Sequence, residues 1–348
     1  MRIETIRQAL SAAGARVCHI DRVLRAWTQA KPLSSGPRHQ PAEDFLPLAL
    51  RNALPALDAE LSGLACLSSE HVGEDGSRLL VKLADGQLVE SVLLPRDGLC
   101  ISTQVGCAVG CTFCMTGRDG LLRQVDSGEM VAQVVLARRQ RTVSRVVFMG
   151  MGEPSHNIDN VLEAIDTLGT YGGIGHKNLV FSTVGDYRVF ERLPKERVRP
   201  ALAISLHTTR ADLRGELLPR ASAIPPEELV ELAEIYARTT GYPIQYQWTL
   251  LDGINDSIAE MDGIVRLLTG KYALMNLIPY NVTSALDYRR PSLERITELA
   301  QYLHARGIRT TVRNSAGQDV DGGCGQLRAR NLERPLRQHK PASNRSAP

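Results

Sequence analysis

Residues 99–117 read LCISTQVGCAVGCTFCMTG, and the remainder of the chain is organised around them. Cys107, Cys111 and Cys114 stand in a C-x-x-x-C-x-x-C spacing, with Phe113 just ahead of the third cysteine. Thiolates are the preferred ligands of iron–sulfur clusters, which normally take four of them. Three at this spacing can hold a 4Fe–4S cube by three corners and leave one iron open. A structural zinc ion would need a fourth ligand from elsewhere, and the paired C-x-x-C knuckles of zinc domains are missing. On spacing alone another metal site stays open. A disulfide framework does not, because the cysteines sit too close and no secretion signal opens the chain.

The 348 residues can hold one large domain with an appendage, or two domains. An apolar fraction of 43% suits an enzyme with a sizeable core. No run of 18 apolar residues occurs, so no membrane span is expected. Seven cysteines without a disulfide framework fit a reducing, cytoplasmic location. A net charge of +3 is only a weak hint of a polyanionic partner.

Outward from the cysteines, strands and helices alternate. Apolar strand runs fall at Leu99–Ser102, Arg145–Met149, Leu179–Ser182, Ala201–Leu206, Ile244–Leu250 and Ala273–Ile278. Helical patterns separate them at Gly128–Arg139, Ile158–Leu168, Pro226–Thr239, Ile258–Thr269 and Leu293–Arg306. Asp126 with Glu129 can form a capping box, and Pro225–Pro226 sits where a helix start tolerates proline. Six strand–helix units predict parallel strands with right-handed crossovers, hence an α/β barrel or partial barrel over residues 99–327. Its functional groups are expected at the carboxyl ends of the strands.

Upstream, Arg78–Ala84 and Gln87–Leu94 predict a β-hairpin extension within 63–98, turned by Asp85-Gly86 in a two-residue turn. Residues 1–62 form a helical accessory region, with patterns at Ile3–Ala13, Ile20–Ala30 and Phe45–Leu61 around a proline-rich loop. The tail 328–348 carries Arg328, Arg330, Arg334, Arg337, Lys340 and Arg345 against the single acid Glu333. It is expected to be disordered, with phosphate-backbone contact as its functional reading and a solvated tail as the plainer one.

Other residues can carry chemistry. Gly150-Met151-Gly152-Glu153-Pro154 follows the strand RVVFM; its glycines let backbone approach a ligand and Glu153 can accept from an ammonium or a hydroxyl. Taken alone it reads equally as a tight turn, and His207 as a structural histidine. Cys18 and Cys66 have no ligand spacing and read as small buried hydrophobes. Cys324, between Gly322-Gly323 and Gly325, sits on a backbone suited to a mobile loop.

The cysteine spacing with its aromatic is similar to the signature of the radical S-adenosylmethionine (SAM) superfamily. The segments CISTQVGC, MGMGEP, FSTVG, AISLH, LLDGIND, NLIPYN and CGQL, in order from Glu90 to Leu327, resemble the bacterial adenosine methyltransferases of the RlmN/Cfr type. That resemblance implies an open (β/α)6 radical-SAM barrel, a 4Fe–4S cluster on Cys107, Cys111 and Cys114, and two SAM per turnover. It implies SAM contacts at Gly152, Glu153, Ser182, Ser205, Leu206, His207 and Asn281. Cys324 would carry the methyl group, Cys100 would resolve it through a transient disulfide, and Glu90 would accept the ring proton. The implied substrate is an adenine ring carbon in 23S rRNA, with tRNA as a further candidate, in a monomer fed by an electron donor such as flavodoxin.

The chain departs from that pattern before Cys324, where SAGQDVDGGCGQL replaces a stretch close to RGDDIDAACGQL, and at Met115, where serine or alanine is usual. The departures touch the parts that dock a particular RNA more than the chemistry. A radical-SAM enzyme acting on a protein or small molecule is the alternative, but it would not need both Cys100 and Cys324. A non-enzymatic nucleic-acid-binding module would leave the six strand–helix units unused.

Overall fold

The computed structural model describes residues 1–36 and 40–329. The expected basic tail therefore lies outside the described residues, apart from Arg328 and Ala329.

Three helices open the chain: α1 (Ile3–Ala12), α2 (Val17–Thr28) and α3 (Leu48–Gly63). Each buries one stripe at helical spacing, as in Ile3, Ile6 and Leu10 of α1 or Leu50, Leu54, Leu57 and Leu61 of α3. The chain then turns to β-structure. Strands β1 (Ala65–Val72), β2 (Ser77–Leu83), β3 (Leu88–Leu94) and β4 (Gly98–Cys100) run antiparallel, each paired to the next. The hairpin foreseen from Asp85-Gly86 is thus one part of a four-stranded meander. Its turn is also longer than the two residues expected. Leu83 N–H donates to Gln87 O, leaving three residues between, and only Gly86 has a positive φ, at 88°. A two-residue turn of type I′ would require Asp85 there as well.

From β4 the pairing becomes parallel. After β5 (Gln104–Gly106), β6 (Leu121–Gln124) and α4 (Ser127–Arg138), β7 (Arg145–Phe148) lies alongside β4. Then follow α5 (Ile158–Thr170), β8 (Leu179–Thr183), α6 (Tyr187–Arg192), β9 (Ala201–Ser205), α7 (Ala211–Leu217) and α8 (Pro226–Thr240). The order closes with β10 (Ile244–Leu250), α9 (Ile258–Leu268), β11 (Ala273–Pro279), α10 (Leu293–Ala305) and β12 (Thr310–Val312). The ten-stranded sheet runs β1-β2-β3-β4-β7-β8-β9-β10-β11-β12. Seven of its strands, β4 and β7 to β12, are parallel, one more than the six expected, because β12 pairs beyond β11. The end strands β1 and β12 do not pair, so the sheet is an open, partial barrel.

Buried apolar residues of the sheet and the helices join into a main core running from Ile3 to Ile308 and Leu327, and a smaller cluster with Phe113, Leu213, Leu217 and Tyr280 lies at the cysteine loop. Strands β8 and β9 are covered along almost their whole length and read as continuous apolar runs. Helix α4 starts at the foreseen box: Glu129 accepts from Asp126 N–H at 2.9 Å. Among the described residues no helix is long and apolar enough to cross a membrane.

Candidate active site

Strands β5 and β6 form a separate antiparallel ribbon whose connection, residues 107–120, carries the three spaced cysteines. Close backbone approaches shape this loop. Cys107 N–H donates to Gly120 O at 3.0 Å, and a Cβ on Gly106, with φ 79°, would stand 2.0 Å from that same oxygen. A Cβ on Gly117 would meet Gly110 Cα at 2.7 Å. Cys114 N–H donates to Cys111 O, and Met115 N–H to Gly325 O at 2.8 Å, which ties the cysteine loop to the loop carrying Cys324.

The cysteine loop covers the carboxyl ends of the parallel strands, and a cavity lies between the two. Cys107, Cys111, Phe113, Cys114, Gly152, Glu153, Ser182, Ser205, His207 and Cys324 all line it. Gly150 to Glu153 follow β7, Ser182 sits near the end of β8, and Ser205 ends β9. This is where parallel sheets gather ligands. Two of the expected SAM contacts lie off this wall, as do Cys100 and Glu90. Leu206 is wholly buried in the apolar core. Asn281 instead donates from Nδ2 to Cys324 O and to Ser315 Oγ, both at 2.9 Å.

Glu153 is buried and held at both oxygens, by Ser155 N–H and by Val184 N–H at 3.0 Å each. Gly152, with φ 105°, lets this turn pass over Gln104, whose Cβ would otherwise lie 2.5 Å from an added Cβ. Behind the turn the buried Arg214 donates to the carbonyls of Val184 and Ser205. Burial pulls its guanidinium down to about 10, against the opposing pull of Cys111 and Glu153. His207 has φ 62°, meets Phe113 edge-to-face at 4.9 Å, and accepts at Nδ1 from Thr249 N–H at 3.0 Å. Burial, with Arg214 adding to it, pushes the imidazole down to about 3. His207 is therefore neutral, with its proton on Nε2.

Cys324 belongs to two spaces at once. It lines the cavity just described and also a small apolar pocket that holds Cys100. Cys100 is buried on β4, and burial pushes its thiol up to about 12. All seven cysteines are free, and Cys18 and Cys66, expected to be buried, are exposed. Glu90 is wholly buried on β3. Its Oε1 accepts from Arg78 Nη1 at 2.5 Å, and its Oε2 from Arg328 N–H at 2.8 Å, just beyond the Cys324 loop.

The donor set fits an iron–sulfur cubane. Burial pushes the Cys107 thiol up to about 12 and holds Cys111 and Cys114 above the ordinary range, with Cys111 raised further by both neighbours. Such thiols become ligands only against the positive charge of bound metal. Among the described residues no three such side chains converge as on a single ion. A cubane does not ask for that, since each of its corners is a separate iron. Gln247, on the cavity wall, has a buried Oε1 without a partner, an acceptor available to a polar ligand.

Comparison with known proteins agrees with this geometry. Residues 101–267 match the model of the radical SAM superfamily. A "probable RNA methyltransferase" of Dechloromonas aromatica is 81% identical over 334 residues, 96% of this chain and 94% of the relative. One of Pseudomonas aeruginosa is 68% identical over 98% of this chain and 99% of its own length. The chain belongs to the radical-SAM RNA methyltransferases. The crystal structure of a radical SAM methyltransferase from Sphaerobacter thermophilus shares the fold, with a TM-score of 0.81 at 35% identity over 95% of this chain and 98% of that one.

In this radical-SAM methyltransferase the cavity has further lining side chains that the motifs did not announce: Gln247 and Thr249 face it from alternate positions of β10. Tyr280, inside the NLIPYN segment but not singled out there, lines it just after β11. The period-2 alternation of QYQWTL was the available signal for the first two. Arg214 had none, because it lies on a seven-residue helix and reaches the site only through the fold.

Proposed function

We propose that this enzyme methylates a ring carbon of adenine in RNA, C2 in the first place, by way of a methyl group carried on Cys324. The observation that supports it most is the double placement of Cys324, on the wall of the cysteine-lined cavity and beside Cys100 in the pocket behind it. A radical-SAM enzyme without a methyl carrier has no use for that arrangement.

C2 of adenine lies between two ring nitrogens and is electron-poor, so it does not attack a sulfonium methyl as an amine would. Cys107, Cys111 and Cys114 would hold the cluster. Gly152, Glu153, Ser182, Ser205, Leu206, His207 and Asn281 are the SAM contacts we assign, with Leu206 limited to its backbone and Asn281, just after β11, also holding the Cys324 loop. When bound, these groups supply the methyl and the hydrogen-abstracting radical chemistry, at two SAM per turnover. The chain's own residues do the rest. Cys324 accepts the methyl on sulfur and presents its carbon to the ring. Glu90 takes the ring proton once the carbon–carbon bond has formed. Cys100 then attacks the Cys324 sulfur, freeing methylated RNA and leaving a disulfide that an external dithiol must reduce.

We assign 23S rRNA as substrate, tRNA as a second one, a flavodoxin-like electron donor, a monomeric state and a cytoplasmic location. Mass spectrometry of rRNA and tRNA nucleosides from cells with and without the gene tests the assignment. Loss of 2-methyladenosine from either RNA is the expected result. Unchanged nucleosides in both would overturn it.

A further inference from the structure

The pocket shared by Cys100 and Cys324 is otherwise lined mainly by apolar groups, among them Val92, Val147, Met149 and Leu327. This poses a chemical problem, and the inference rests on the two-cysteine reading above. Only a thiolate attacks sulfur, yet an apolar pocket disfavours one. Burial, followed by the nearby Cys324, raises the Cys100 thiol.

One cation reaches the same pocket. Arg313 follows β12, donates its N–H to Leu277 O at 2.8 Å, and lines the pocket beside both cysteines. Its charge pulls the Cys100 thiol back down. No ion pair neutralises it among the described residues. Of the other charged groups around β4, Glu90 on β3 is taken up by Arg78 and Arg328 N–H. Arg145, which begins β7 opposite Gly98, is a second cation near enough to Arg313 to feel its charge, but it does not line the pocket.

We propose that Arg313 is the positioning residue that makes Cys100 a nucleophile, its guanidinium favouring the thiolate inside an apolar pocket. In the resolving step Cys100 gives its proton to solvent and its thiolate attacks the Cys324 sulfur. The Cys100–Cys324 S–S bond forms as the S–CH2 bond to the adduct breaks. The released electron pair passes to the methylene carbon, conjugated with the ring, and that carbon takes up a proton to become the methyl of the product. The unpaired electron left on the adduct by radical addition would return to the bound cluster before this step, so the step itself consumes no oxidant.

The step can be copied without RNA or SAM. Cluster-loaded protein carrying Cys18→Ser and Cys66→Ser is treated with oxidised glutathione, which caps the exposed Cys324 as a mixed disulfide. Cys100 then displaces glutathione from the Cys324 sulfur, and mass spectrometry follows its release. Arg313→Gln should slow release by roughly threefold for each tenfold drop in thiolate, since nucleophilicity rises as the thiol pKa rises. Arg313→Lys keeps the charge and should stay within about twofold of the parent, in line with thiolate stabilisation by a nearby cation. Release from Arg313→Gln at the parent rate would overturn the proposal. So would Arg313→Lys proving as slow as Arg313→Gln, because shape and not charge would then be at work. If Cys100→Ala releases glutathione as fast as the parent, it is the two-cysteine reading that fails.

Discussion

The Glu90 carboxylate meets the Arg78 guanidinium at 2.5 Å across neighbouring antiparallel strands, with the two side chains 0% and 6% exposed. Removing one partner of such a pair strands a charge in the interior, whereas removing both does not. Arg78→Met should therefore cost about 3–5 kcal/mol of stability, and Arg78→Met with Glu90→Leu should recover most of it. Urea unfolding of the two variants checks this. Equal destabilisation in both would show that the pair is not the source.

The cysteine loop predicts its own cofactor. Anaerobically reconstituted protein should hold one 4Fe–4S cluster by iron and sulfide analysis, and Cys111→Ala with Cys114→Ala should hold none. Zinc alone in the parent, or a cluster retained in the variant, would sink the assignment.

The proposed mechanism gives the two remaining cysteines of the site unequal tasks. Cys324→Ala should carry no methyl and make no product. Cys100→Ala should still be methylated on Cys324, still cleave SAM, and then stall as a covalent RNA–protein adduct on a denaturing gel. Normal turnover by Cys100→Ala rules the mechanism out for this protein.

His207 gives a pH signature. Its imidazole is pushed down to about 3 by burial and Arg214 in the folded protein, against an ordinary 6.5 when unfolded. Between those values the unfolded state binds more protons, so stability rises with pH. The contribution is present above 6.5 and is lost as pH falls towards 3. His207→Gln, whose amide oxygen can still accept from Thr249 N–H, should flatten the stability–pH curve in that window. An unchanged slope contradicts the neutral, buried imidazole.

Arg328 is already engaged, its guanidinium bridging Asp119 at 2.7 and 2.8 Å. If the basic residues beyond it touch phosphate, truncation after Ala329 should weaken RNA binding and flatten its salt dependence. The slope should drop by roughly 0.7–0.9 of a log unit for each phosphate no longer neutralised. An identical slope returns the tail to a solvated role.

What was legible in the chain was whatever is encoded locally. The cysteine spacing lies within eight residues, and parallel strands such as β8 and β9 announce themselves as apolar runs because they are buried on both faces. Short or exposed elements were not legible. β1 is a largely polar edge strand, and β5, β6 and β12 have three or four residues each. The turn at Arg96-Asp97 places both residues at positive φ without a glycine to signal it. In the site, Arg214, Gln247 and Arg313 carry no motif, since each acquires meaning only from side chains that other elements bring to it.

The Cys324 loop is held by the distant turn between β1 and β2. Gly317 N–H donates to Asp75 across 242 positions, and Glu74 N–H to Asp319 across 245. Pairings of such sequence separation close late, since the loop entropy must be met before they form. On a ribosome the cluster-binding loop emerges some two hundred residues before the cysteine it must serve, counting from Cys114 to Cys324. On the proposed mechanism, the order of synthesis thus delivers the iron site first and the methyl acceptor well after it. A nascent or nicked chain would have somewhere to generate a radical and nowhere productive to send it.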